Sequence, residues 1–446
     1  MTITVDQVLQ FLIGLSLLVV LHELGHFLPA IWFKTRVEKF YLFFNPWFSL
    51  FKTKIRGTEV GIGWLPLGGF VKISGMVDES MDTEQMKKPP QPWEFRSKPG
   101  WQRLIILLGG VTVNVITAIV IYAGMMSYYG ETYVASEDVM ARGVLVSDAG
   151  EAMGLQDRDQ ILSIGGLLPN KFMEINKEIL HGIGQTMVVK RGDSMFNIEI
   201  SSQHIAGMID EGKAMVTPRP YFIATEFTEE SLAEDAGMQV GDFIVNAAGV
   251  EDVDLFELLD IIPAYAGDTL AVDVRREGAL VALAIPVNDS GKIGVDFIRD
   301  EAQLFPETTM KYSGLAAVSA GWNKAFGRLS DYSSDVGLML TPETGAAKKA
   351  GGFLTILTQF PEEWNWEAFW GFTAFLSLAL AFLNVLPIPA LDGGHALFVI
   401  IEMITGRAPS TRFMEIAQMI GFLILVALLL LVNGNDVGRL LASFGN

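Results

Sequence analysis

Four long apolar runs divide the chain, at about Val8–Phe33, Trp101–Tyr129, Ala368–Val385 and Phe413–Val432. A helix needs about 20 apolar residues to span a bilayer, so each run reads as a transmembrane helix. Pro29 lies inside the first run. It removes one backbone donor, which predicts a kink or an early helix end there. The first run has no basic leader and no small-x-small cleavage site, so it reads as a retained span rather than a signal peptide.

Between the spans the pattern changes. The stretch Gly57–Gly75 is rich in glycine and β-forming residues, which predicts short strands or a hairpin close to the membrane. Asp78–Pro99 is polar and contains four prolines, which predicts an extended, exposed segment. Residues 130–300 are mixed and acidic, with short β-like runs and frequent glycine. An internal repeat lies within them. Gly154-Leu-Gln-Asp-Arg-Asp-Gln-Ile-Leu-Ser-Ile-Gly-Gly166 aligns with Gly237-Met-Gln-Val-Gly-Asp-Phe-Ile-Val-Asn-Ala-Ala-Gly249, an offset of 237 − 154 = 83 residues. Each copy is followed by a predicted helix (Phe172–Leu180, Asp254–Ile262) and two predicted strands (Gln185–Lys190 with Phe196–Ile200, Thr269–Arg275 with Leu280–Pro286). Leu315–Leu329 reads as an amphipathic surface helix. Trp364 and Trp366 suit an interfacial belt before the third span.

The resulting division is 1–33 (first span), 34–100 (cytoplasmic loop), 101–129 (second span), 130–215 and 216–300 (the two repeats) and 301–366 (a peripheral segment). It continues with 367–395 (third span), 396–412 (cytoplasmic join), 413–433 (fourth span) and 434–446 (tail).

Composition narrows the class. The chain has 446 residues, is 50% hydrophobic and contains no Cys. Disulfides and thiolate metal ligands are therefore excluded, and a metal would need His and carboxylates. Only five His are present, at 22, 26, 181, 204 and 395. The net charge of −19 is unevenly spread: 34–103 holds 12 Lys/Arg against 7 Asp/Glu, and 129–366 holds 17 against 37. Arg407 and Arg412 add basic charge between the last two spans. The positive-inside rule then puts the basic loops in the cytoplasm, and both termini and the repeats, including Asp242, outside. No basic stripe points to nucleic acid.

The chemistry lies within the spans. Leu21-His22-Glu23-Leu24-Gly25-His26 carries H-E-x-x-H inside an apolar run. Residues four apart share a helix face, so His22 and His26 can bind one Zn²⁺, with Glu23 as general base. Ionisable groups in hydrocarbon cost roughly 2.5–3.5 kcal/mol each on insertion scales, which makes them functional candidates. A chance match on a soluble helix is the plain alternative, and it leaves the apolar setting unexplained. A catalytic zinc usually has three protein ligands. Asp392 is the only carboxylate between Glu367 and Glu402, and it ends an apolar run after Pro387 and Pro389. It is the candidate third ligand. Asp-Gly is also a strong turn signal, so a purely structural Asp392 stays open. Asn114 in the second span reads as an interhelical hydrogen-bonding residue.

Two motifs carry a family resemblance. H-E-x-x-H in the first span, with Asn384-Val-Leu-Pro-Ile-Pro-Ala-Leu-Asp392-Gly after the third, resembles the double signature of the site-2 protease family of intramembrane zinc metalloproteases. The segment Ser231-Leu-Ala-Glu-Asp-Ala-Gly-Met-Gln-Val-Gly-Asp-Phe-Ile resembles bacterial PDZ domains. The first repeat departs from it, with Asp157-Arg158 where the second has Val240-Gly241. Two tandem PDZ-like copies make the chain similar to the regulator of sigma-E protease branch.

The fold this implies is a multi-pass α-helical membrane protein. It would have four transmembrane helices, a membrane-associated β-hairpin at 57–75 and two inserted α+β PDZ-like domains. The resemblance further implies zinc on His22, His26 and Asp392, Glu23 as base, and Asn384 near the substrate or oxyanion. It implies a bacterial inner-membrane enzyme that cuts single-span, pre-trimmed membrane proteins, such as an anti-sigma factor or remnant signal peptides. The chain departs from the family at Phe43-Phe44-Asn45 and at Gly110-Val111-Thr112-Val113-Asn114. His395 is left as a structural or supporting residue. A non-catalytic PDZ adaptor or a metal transporter is the alternative. A transporter would more plausibly repeat its spans, and no such repeat is seen. The PDZ-like pair also reads either as structural spacers or as a gate excluding partners that still carry a large exported domain.

Overall fold

The computed structural model describes residues 3–76, 89–297, 305 and 307–444. Its contacts separate two units, one of 1–130, 311–340 and 347–446, the other of 131–310 with 341–346.

In the first unit the apolar runs form four helices long and apolar enough to cross a membrane. They are α1 (Val5–Trp32), α2 (Gly100–Tyr128), a third span (Trp366–Val385) and a fourth within Thr411–Phe444. Helix α1 starts at a capping box in which Thr4 and Gln7 satisfy each other's backbone donors. It does not stop at Pro29 but runs on to Trp32, and the Phe33 N–H donates to the Pro29 carbonyl at 2.9 Å. Pro29 has no N–H for the carbonyl four residues back, Gly25. That carbonyl faces Gly109 of α2, where an added Cβ would lie 1.9 Å from it. The two helices therefore touch backbone to backbone, as small residues permit in membrane helix pairs.

The loop after α1 forms a four-stranded sheet from β1 (Val37–Phe44), β2 (Phe51–Ile55), β3 (Thr58–Ile62) and β4 (Leu65–Ile73), in the order β2-β3-β1-β4. This corrects the expected hairpin at 57–75. β3 and β4 do not pair with each other, because β1 lies between them, parallel to β3 and antiparallel to β4. Gly63 makes the crossing possible. A Cβ there would sit 2.1 Å from the Phe44 carbonyl oxygen. The true hairpin is β2–β3, turning at Arg56-Gly57, both with positive φ. Strand β4 is one edge of the sheet, β2 being the other, and packs along α1 at Gly69, where a Cβ would meet Val19.

Residues 78–88 of the expected extended segment lie outside the described residues, as do Met1 and Asn446. The rest of that segment is anchored rather than loose. Phe95 is buried, and its N–H donates to the Ser74 carbonyl.

The third span stops at Val385. Pro387 and Pro389 cannot continue its ladder, and Ala390 adopts a positive φ of 105°. A second helix then runs Asp392–Thr405 through the stretch expected as a plain join. Its Gly393 and Gly394 sit under the broken backbone, where added Cβ atoms would lie 2.3 Å from the carbonyl oxygens of Val385 and Ile388. A paired fork from Arg103 to Glu402, at 3.0 and 2.7 Å, ties this helix to the start of α2.

The segment expected as a surface helix is longer and packed. It runs Leu315–Met339 and buries Ala317, Gly321 and Ala325, spaced by four, against α2. A Cβ on Gly321 would strike the Ala123 backbone nitrogen at 2.4 Å.

The second unit shows the repeat as structure. The expected helices occur at Phe172–His181 and Leu255–Ala264, and the expected strands at Thr186–Arg191, Ser194–Glu199, Thr269–Arg276 and Ala279–Pro286. One ion pair recurs in both copies. Asp159 accepts from Arg191 and from the Gln156 N–H, and Asp242 accepts from Arg276 and from the Gln239 N–H. The same arginines donate to the carbonyls of Gly154 and Gly237. Arg158 stands where the second copy has Gly241, and both have positive φ, 69° and 89°. The first copy thus keeps the turn with a residue that disfavours it. The Arg158 side chain in turn pairs with Glu257 of the second copy.

A junction absent from the expectations joins the copies. Arg219, 1% exposed, donates to Asp252, Asp254 and the Asp252 carbonyl, while Arg142 donates to Asp252 and to the Arg219 carbonyl.

Candidate metal centre

Three side chains from opposite ends of the chain converge. His22 and His26 lie one turn apart on α1, and their Nε2 atoms are 3.3 Å apart. Asp392 begins the helix that follows the broken third span, and its Oδ2 lies 3.4 Å from His22 Nε2 and 3.3 Å from His26 Nε2. Both imidazoles are buried, and Oδ2 has no hydrogen-bond partner.

These distances fit a cation. A tetrahedral ion with ligand bonds of about 2.0–2.1 Å needs ligand atoms about 3.3–3.4 Å apart. The triangle shows edges of 3.3, 3.4 and 3.3 Å. Two imidazoles and a carboxylate are also the chemistry zinc accepts. The three are the group of His, Asp and Glu among the described residues whose ligand atoms lie close enough together to hold a metal.

The local fold explains the convergence. Gly109 and Gly110 let α2 press against the imidazole face, and a Cβ on Gly110 would lie 2.4 Å from His26 Nε2. His26 Nδ1 is 2.8 Å from the Ile106 carbonyl oxygen, which can only accept. The His26 Nδ1 therefore carries the proton, and its Nε2 lone pair faces the cluster. Without the break after Val385, Asp392 would continue the third span and could not turn back toward α1.

A cavity of about 730 Å³ opens on the cluster, lined by Glu23, Asn384 and His395 beside the three converging residues. Glu23 lies against β4, its Cγ 3.6 Å from where a Cβ on Gly69 would sit. Asn384 lines the cavity one residue before the third span ends. Every residue singled out for the site thus borders one space. Two features around the cluster were not read from the sequence. Lys39 and Lys72 line it from paired positions on β1 and β4. Asn114, expected to bridge helices, reaches His22 Nδ1 at 3.1 Å.

Comparison with known proteins gives consistent results. The profile of Peptidase family M50 matches residues 10–428. A protein of Haemophilus influenzae named "Regulator of sigma E protease" is 28% identical over 460 residues, covering 97% of this chain and 98% of the relative. The "Regulator of sigma-E protease RseP" of Escherichia coli is 26% identical over 454 residues, at 97% and 98% coverage. A "Putative zinc metalloprotease" of Vibrio cholerae is 26% identical over 478 residues, again at 97% and 98%. With the profile spanning nearly its whole length, the chain belongs to peptidase family M50.

Proposed function

We propose that this peptidase cuts peptide bonds inside the membrane spans of other proteins, using zinc held by His22, His26 and Asp392. The observation that carries the reading is the triangle of ligand atoms, 3.3–3.4 Å on each side, set within apolar helices. Zinc held there would supply Lewis acidity, which polarises the scissile carbonyl and makes water far more acidic.

The chain's own groups do the rest. Glu23 accepts the proton of the attacking water and returns it to the leaving amine. The Asn384 carboxamide borders the same cavity and donates to the oxygen on which negative charge develops. A helical substrate hides its carbonyls, so it must unwind locally. Edge strand β4 beside Glu23 can pair with the unwound stretch by strand addition.

The wider reading is regulated intramembrane proteolysis in a bacterial inner membrane, with the basic loops in the cytoplasm and the acidic repeats outside. The substrates are single-span proteins already trimmed by another protease, and the relatives' names point toward sigma-E control. The repeats act as PDZ-like modules that exclude untrimmed partners. The direct test is Glu23→Gln in cells. It should bind zinc normally, lose cleavage and accumulate uncut membrane proteins. Unchanged cleavage would remove Glu23 from the reaction, and an adaptor or transporter would be indifferent to the change.

A further inference from the structure

The two zinc-facing imidazoles have different partners on α2. His26 Nδ1 faces a backbone carbonyl, which fixes its ring proton. His22 Nδ1 faces the Asn114 carboxamide, which can present either oxygen or nitrogen. Asn114 is 0% exposed, so water does not compete for its carboxamide.

We propose that Asn114 is a positioning residue that fixes the tautomer of His22, so that its Nε2 lone pair points at Asp392 and His26. The proposal rests on reading His22 as a zinc ligand and adds the group that prepares it. In the structure Nδ2 of Asn114 lies 3.1 Å from His22 Nδ1, while Oδ1 is buried with no partner. With the nitrogen facing the ring, Nδ1 must accept, the ring proton moves to Nε2, and no lone pair remains for the cluster. Turning the carboxamide by half a turn exchanges oxygen and nitrogen at the same positions. Oδ1 then accepts from Nδ1–H, and Nε2 is free to ligate. This is the role that carbonyls and carboxylates play behind metal-bound imidazoles elsewhere.

The packing around Asn114 suits that task. The Ser377 hydroxyl of the third span donates to its backbone carbonyl at 2.8 Å. Gly110, one turn earlier, brings the α2 backbone so close that a Cβ would lie 2.6 Å from His22 Cε1. Asn114 and Ile106 are two turns apart on α2, so one helix face serves both imidazoles.

The test is zinc affinity of the purified full chain by competition with a chelator, for wild type, Asn114→Ala and Asn114→Asp. The alanine variant should bind zinc 10–100-fold more weakly, and the aspartate variant, which keeps an acceptor, should stay within about threefold of wild type. A folded alanine variant with wild-type affinity would overturn the proposal, leaving Asn114 a plain interhelical bond. Should the aspartate variant not fold, ¹⁵N-histidine spectra of the metal-free chain decide. Wild type should show His22 protonated at Nδ1, and Asn114→Ala should lose that preference. A wild-type His22 protonated at Nε2 would overturn the proposal. A wild type that binds no zinc would instead refute the ligand reading beneath it.

Discussion

Gly109 lies against the carbonyl of Gly25 so closely that a single added carbon would sit 1.9 Å from that oxygen. The contact falls between His22 and His26 on one helix and Ile106 and Asn114 on the other, so it sets how deeply α2 reaches the imidazoles. Gly109→Val should force α1 and α2 apart and cost about 1–3 kcal/mol, as overpacking does. Thermal melting in detergent should drop, and bound zinc should fall with it. Normal zinc at a normal melting temperature would mean that the close approach is not needed for the site.

The buried Asp242 carboxylate pairs with a partly exposed Arg276 in the second repeat. Burial raises the Asp242 pKa, but the Arg276 hydrogen bonds and the Gln239 N–H outweigh it and hold it below the usual carboxylate value. A lowered folded pKa means stability that is present above the unfolded value and lost as pH falls through the folded value. Hydrogen exchange at 237–243 in the intact chain should therefore accelerate only below the ordinary carboxylate range. Arg276→Gln should speed it already at neutral pH, because the buried Asp242 carboxylate then loses its paired donor. An unchanged exchange profile in that variant would contradict the assignment.

Much of this was legible in the chain. Apolar runs marked the four spans, because a bilayer requires length and leaves few alternatives. The helical spacing of His22 and His26 placed both on one face, and the prolines before Asp392 marked the break that turns it inward. The repeat emerged because its turn residues recur at one offset. Other features were hidden for physical reasons. That β1 lies between β3 and β4 depends on long-range pairing, and Gly63 alone does not reveal the crossing. The helix Leu315–Met339 looks amphipathic in sequence, yet its stripe of Ala317, Gly321 and Ala325 packs on α2. The approach of Asn114 to His22 depends on the rotation of two helices about each other, which no local pattern encodes.

In the proposed topology the loop after α1 lies in the cytoplasm and the repeats outside. The chain has no native Cys, so single Cys residues report this directly. Asp242 is buried and unsuited to labelling, whereas Ser194 and Lys54 are exposed. In intact cells an impermeant thiol reagent should label Ser194→Cys after outer-membrane permeabilisation and spare Lys54→Cys. The reverse pattern would invert the topology.

The repeats are inserted between α2 and the helix Leu315–Met339, and the Arg142–Arg219 junction binds the two copies to each other. Replacing 135–298 with a short flexible linker should let untrimmed substrates be cut if the pair excludes them. A folded, zinc-loaded deletion variant that cuts neither trimmed nor untrimmed substrates would show that the pair is required for recognition instead.

The central claim is that ligands from both ends of the chain hold one zinc within the membrane helices. Metal analysis of the purified full chain and of Asp392→Ala tests it most directly. Wild type should carry one zinc per chain, and folded Asp392→Ala should lose it although His22 and His26 remain. Full zinc retention in folded Asp392→Ala would contradict the account.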